Sequence, residues 1–248
     1  VINLVTSGTG STSYGIKCAS TSASTDTVRI QNNFVGGIQV SSSTATNGTN
    51  IHGIGVTTAS YVYIENNLVG SLNNPNGIIA SNNATSVQSV HGISVASGTY
   101  STVINNTIAN LTNNYTGAST GYTRGIYLTV STTSVVTGNV VKNIASKSTY
   151  TGTGTLAALT GIQVSSSNPS TIVGNTIDSL VLSNTTSTAA SIIEGIYVGL
   201  NGATPTNLVA KNKIAHLSVS SPTNTNAILS GINITGGSNI VANNMIQL

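Results

Sequence analysis

The sequence predicts an all-β solenoid: one domain, residues 1–248, of about seven coils with roughly 35 residues and three short strands in each. Three observations predict it. Val, Ile, Thr and Gly are plentiful while the strong helix formers Glu, Lys, Arg and Gln are scarce, which favours strands. A G-I-x-aliphatic motif recurs seven times. Each copy is followed by an aliphatic residue, two residues, an Asn, and then an aliphatic pair in I-x-x-L spacing.

The Gly strand comes first in each coil. It reads GIKC from Gly15, GIGV from Gly53, GISV from Gly92, GIYL from Gly125, GIQV from Gly161, GIYV from Gly195 and GINI from Gly231. Alternation points the Ile and the last aliphatic residue inward and the residue between them outward. Ile16, Ile54, Ile93, Ile126, Ile162, Ile196 and Ile232 should therefore stack as one core column. The Gly suits a corner where φ is positive or where backbones approach closely.

A shorter strand precedes the Asn, as in Val62-Tyr63-Ile64. Its inward column is Val28 or Ile30, then Ile64, Val103, Val136, Ile172, Val209 and Val241. The Asn positions are Asn33, Asn67, Asn106, Asn139, Asn175, Asn212 and Asn244. An Asn side chain can sit in a turn and bond backbone. Stacked at about 4.8 Å, such amides can also bond one another along the axis.

The third strand carries I-x-x-L, such as Ile108 and Leu111. Three-residue spacing between inward positions breaks alternation, so a bend is expected there. Beyond it the repeats differ in length, as in Asn73 to His91 and Ala145 to Thr160, both polar stretches. Constant strands joined by one variable loop are what a solenoid coil requires.

These motifs resemble right-handed parallel β-helix repeats, and they cover essentially the whole chain. They are also similar to the Ser/Thr/Asn-rich β-helix arrays of large Bacteroidetes surface proteins that travel by type 9 secretion. That resemblance implies right-handed coils and an extracellular or cell-surface location. The opening V-I-N-L matches the I-x-x-L piece, pairing Val1 and Leu4 with the phase of Ile246. On that alignment the chain is expected to be an excerpt of a longer array.

Composition narrows function. Charged residues are 4% of the chain, against about 25% in ordinary domains. The seven Lys and Arg are scattered, so neither a nucleic-acid face nor a polybasic membrane patch is expected. No apolar run approaches the ~18 residues of a membrane helix. The single cysteine, Cys18, allows no internal disulfide and reads as a core thiol.

Candidate sites are few. The residues preceding each Gly form one column: Tyr14, His52, His91, Arg124, Thr160, Glu194 and Ser230. His52, His91 and Arg124 fall in successive coils, as a short polar row able to bind a metal or an anion or to act as a base, although two His without a third ligand or a carboxylate make a weak metal site. Tyr127 and Tyr197 occupy the outward position of their strands, where aromatic faces could stack sugar rings. His216 reads as a lone surface residue. The four acids Asp26, Glu65, Asp178 and Glu194 lie at different phases, which disfavours the paired carboxylates of glycoside hydrolysis. No catalytic residue, metal site or cofactor is therefore expected. The outward column Lys17, Gly55, Ser94, Tyr127, Gln163, Tyr197 and Asn233 is too irregular for ice binding. The expectation is a structural or adhesive segment with glycans or other surface proteins as partners, and with lateral or end-to-end self-association. The alternative is a carbohydrate-binding module. A polysaccharide-degrading enzyme ranks behind both.

Overall fold

The computed structural model describes residues 2–6, 11–19, 26–42, 48–83, 85–96, 98–117, 119, 121–130, 133–147, 157–166, 169–183, 191–200, 206–220 and 227–248. The described residues form a parallel β-helix with three sheets and no helix. Every strand pairing is parallel. Each coil contributes one strand to each sheet in turn.

The glycine sheet has seven strands, from Ser11–Ala19 to Ala227–Ile234. Its register stacks the Ile column of the G-I-x-aliphatic motif from Ile16 to Ile232. The short-strand sheet also has seven, from Thr27–Gln31 to Ser238–Ala242. Here Ile30, and not Val28, heads the column that runs through Ile64, Val103, Val136, Ile172 and Val209 to Val241. The bent sheet has ten strands because its first coils are split, as Phe34–Val35 with Ile38–Ser42 and Leu68–Gly70 with Ile78–Asn82.

The glycine and short-strand sheets are seven strands deep, but about five turns are complete. The physical reason lies at the ends. In the glycine and short-strand sheets the first and last strands have a neighbour on one side only. Side chains such as Ile228, Ile240, Val241 and Ile246 consequently remain exposed. Between these ends the aliphatic columns are closed: Ile54, Ile93, Ile126, Ile162 and Ile196 are fully buried. Each is worth roughly 1.5–3 kcal/mol relative to exposure. Cys18 sits in an end coil, partly buried against this core.

Backbone conformation resolves two questions about the corners. None of the motif glycines appears among the residues with positive φ. Their role is close approach: a Cβ on Gly125 would lie 2.6 Å from the Gly161 carbonyl oxygen and would also strike Val141. Positive φ falls instead on the residue before each ladder Asn: Asn32, Asn66, Asn105, Gly138, Gly174, Lys211 and Asn243. A second left-handed set, Asn110, Asn143, Ser179 and His216, makes the expected bend inside I-x-x-L. His216 is thus a bend residue, and its Nδ1 lies 2.6 Å from Asp178 Oδ1. It is exposed but not alone. The first strand also departs from expectation. Ile2 pairs with Ile38 and Leu4 with Val40. By register position 2, and not position 4, lines up with the Leu of I-x-x-L, since Ile38 pairs with Ile78 and Ile78 with Leu111.

Candidate functional site

The Asn corner is a continuous amide ladder. Asn33, Asn67, Asn106, Asn139, Asn175 and Asn212 each donate Nδ2–H to the Oδ1 of the next, at 2.9–3.0 Å, ending on Asn244. The same Oδ1 accepts the backbone N–H of the preceding Asn. From Asn67 onward each Nδ2 also reaches a carbonyl of the coil before, as Asn139 does to Val103 at 2.8 Å. Asn106 and Asn139 are fully buried. The left-handed residue in front of each Asn turns the chain sharply enough to aim the amide along the axis. Between its two ends the ladder is structural chemistry with its amide groups matched.

The polar row is on the outer face of the glycine sheet. Register pairs Tyr14 with His52, His52 with His91, His91 with Arg124, Arg124 with Thr160, Thr160 with Glu194 and Glu194 with Ser230. The structure thus brings the expected residues together and adds the neighbouring column three residues on. Tyr14 stacks on His52 at 4.8 Å, His52 meets His91 edge-on at 4.9 Å, and His91 packs against Tyr127 at 4.9 Å. The Arg124 guanidinium lies between the rings of Tyr122 and Tyr127, 4.4 and 4.5 Å from their centroids. It donates from Nη1 to His91 Nε2 at 3.2 Å and from Nε to Gln163 Oε1. Glu194 accepts from Asn233 Nδ2 at 2.6 Å, and His52 Nδ1 meets Ser94 Oγ at 2.6 Å.

This face is not open. His91, Arg124, Thr160, Glu194 and Tyr197 are all buried. Burial sets the electrostatics. Desolvation lowers the His52 pKa to about 4. It drives His91 well below its ordinary value, helped by the positive charge of Arg124 and by His52. Desolvation also lowers Arg124. It pushes Glu194 up to about 7, against the opposing pull of the Asn233 amide and of Arg124. Because Arg124 donates to His91 Nε2, the neutral imidazole carries its proton on Nδ1. That atom and Thr160 Oγ1 are buried without a hydrogen-bond partner.

Tyr127 and Tyr197 do not offer the open platforms expected from their outward phase. Tyr127 is half-buried between His91 and Arg124, and Tyr197 is buried with its hydroxyl 3.4 Å from Thr235. Their rings are used by neighbours within the sheet. Accessible aromatics lie elsewhere: Phe34 on the bent sheet and Tyr61 on the short-strand sheet. Tyr61 pairs with Tyr100 in register and is 41% exposed. Tyr63 packs 6.3 Å from Tyr100 and beneath Arg29, at 4.4 Å. The alternation Y-V-Y at Tyr61–Tyr63 was the available signal.

The four carboxylates remain apart. Glu65 accepts from Gln31 at 2.8 Å on the short-strand sheet, and Asp178 is held by His216 on the bent sheet. Glu194 is on the glycine sheet, and Asp26 precedes the first short strand. No group of three or more His, Cys, Asp or Glu is placed to hold a metal ion among the described residues. No family model matches the chain, and neither a curated protein nor a solved structure matches it.

Proposed function

We propose that this chain is a non-enzymatic structural or adhesive segment of a secreted or cell-surface β-helix protein, of the kind its repeats resemble in Bacteroidetes type 9 secretion cargo. The observation that carries the reading is the unbroken ladder from Asn33 to Asn244. It locks successive coils by the same bonds and spends the corner side chains on rigidity. Dispersed carboxylates support the same reading, since glycosidic chemistry needs two of them roughly 5–10 Å apart. The buried polar row supports it too. Its titratable groups are bonded to side chains within the sheet, His52 to Ser94, His91 to Arg124 and Glu194 to Asn233. Partners of such a segment are glycans or other surface proteins.

The test is turnover. Incubation of the purified chain with a panel of polysaccharides should release no new reducing or unsaturated ends. Turnover that disappears in Glu194→Gln or His91→Ala would overturn the reading.

A further inference from the structure

A cavity of about 330 Å³ opens on the outer face of the bent sheet. Its volume falls at the lower edge of the ~300–1,000 Å³ of small-ligand sites. The lining follows from the backbone. The left-handed residue and the residue two positions on contribute in three successive coils: Asn110 with Thr112, Asn143 with Ala145, and Ser179 with Val181. The bend that interrupts I-x-x-L therefore makes the groove. One wall is the insertion that splits the second coil, which contributes Pro75 and Asn76. That insertion is pinned, since Ser71 Oγ accepts from the backbone N–H of Asn74 at 2.9 Å and Asn110 Nδ2 donates to the Ser71 carbonyl at 2.7 Å.

We infer that this groove is a binding site for a neutral oligosaccharide. The inference deepens the adhesive reading and rests on it. Three features select the ligand class. None of the nine lining residues is ionisable, so a charged ligand would lose hydration with no counter-charge in return. The lining combines methyl-bearing Ala145 and Val181 with amides and hydroxyls. A sugar ring presents the same pairing, an apolar C–H face with hydroxyls around its edge. Polar side chains recur coil by coil at about 4.8 Å, so they can meet successive hydroxyl groups along a chain lying parallel to the solenoid axis. A peptide is the poorer fit. The strands beneath, Thr107–Tyr115, Val140–Ser146 and Thr176–Ser183, each have partners on both sides, so they offer no free edge for strand addition.

The experiment is a glycan array, followed by calorimetry on the hits, with the full 248-residue chain. Asn143→Gly with Ser179→Gly removes one amide and one hydroxyl while suiting positive φ at both positions, so the fold is spared. Val181→Trp fills the groove from a half-exposed position. Tyr61→Ala removes the exposed ring of the other sheet. The expected result is binding of neutral oligosaccharides that the double variant weakens about tenfold, as loss of two hydrogen bonds implies. Val181→Trp should abolish binding, and Tyr61→Ala should leave it unchanged. No neutral hit for the parent chain, binding indifferent to the groove variants, or binding lost with Tyr61→Ala would each overturn the inference. None of these results would create turnover, so the scaffold reading stands or falls separately.

Discussion

The Asn corner and the outer face of the glycine sheet stack the same coils by opposite means. At the corner one residue type repeats, and each amide finds donor and acceptor in its neighbours. On the outer face every coil contributes something different: Tyr14, His52, His91, Arg124, Thr160, Glu194, Ser230. There the matches are local, and two polar atoms are left over. Uniform chemistry can propagate indefinitely along a solenoid. Mixed chemistry cannot, so it fixes which coil lies beside which. The corner supplies stiffness, and the outer face supplies register.

The largest expected effect is at the middle of the ladder. Asn139→Ala strips the backbone N–H and Nδ2 of Asn106 of their shared acceptor and takes the Nδ2 donor from Asn175 Oδ1 and from the Val103 carbonyl, all in buried surroundings. With about 1–3 kcal/mol for each buried group left unpaired, the loss should reach about 3 kcal/mol or more in chemical denaturation. Asn33→Ala, at the half-buried end, should cost about 1 kcal/mol. Equal losses at the two positions would mean that the ladder does not act as a chain.

Next comes Arg124→Met. It leaves His91 Nε2 and Gln163 Oε1 without their donor. It also removes a desolvated charge, which returns part of the cost. A net loss of about 1–2 kcal/mol is expected, smaller than at Asn139.

The pH dependence separates the two regions further, because the ladder has nothing to titrate. Glu194, raised to about 7, binds its proton more tightly when folded. Its contribution is therefore fully present below the ordinary carboxylate range and is lost as pH rises towards and past 7. His52, lowered to about 4, acts in the opposite sense, and stability falls as pH drops from about 6.5 towards 4. Glu194→Gln should match the parent near pH 4 and exceed it by about 2 kcal/mol at pH 8. Thermal melts across that range would show it. The smallest effect is expected at the exposed Asp178–His216 pair. His216→Gly breaks the pair but relieves positive φ, so the change should stay within about 0.5 kcal/mol.

The periodic parts of the molecule were legible because burial and stacking demand the same residue in every coil. The Ile column, the Asn column and the polar row could be aligned by counting. Positions fixed by backbone conformation were harder to read. The left-handed site before the ladder accepts Asn, Gly and, at position 211, Lys, so no single residue type marks it. The bend column reads Asn110, Asn143, Ser179, His216, and the groove it opens has no motif at all. Spacing gave the side on which Tyr127 and Tyr197 lie. It could not tell that Arg124 and neighbouring rings would close over that face.

On these bonds the Asn ladder should hold the corners as firmly as the strands hold the sheets. Amide hydrogen exchange tests it most directly. The backbone N–H groups of Asn67, Asn106, Asn139 and Asn175 bond only to side-chain oxygens of the next Asn. Exchange should be as slow as that of strand centres such as Ile126, and uniform along the four. Exchange at the rate of exposed turns would contradict it.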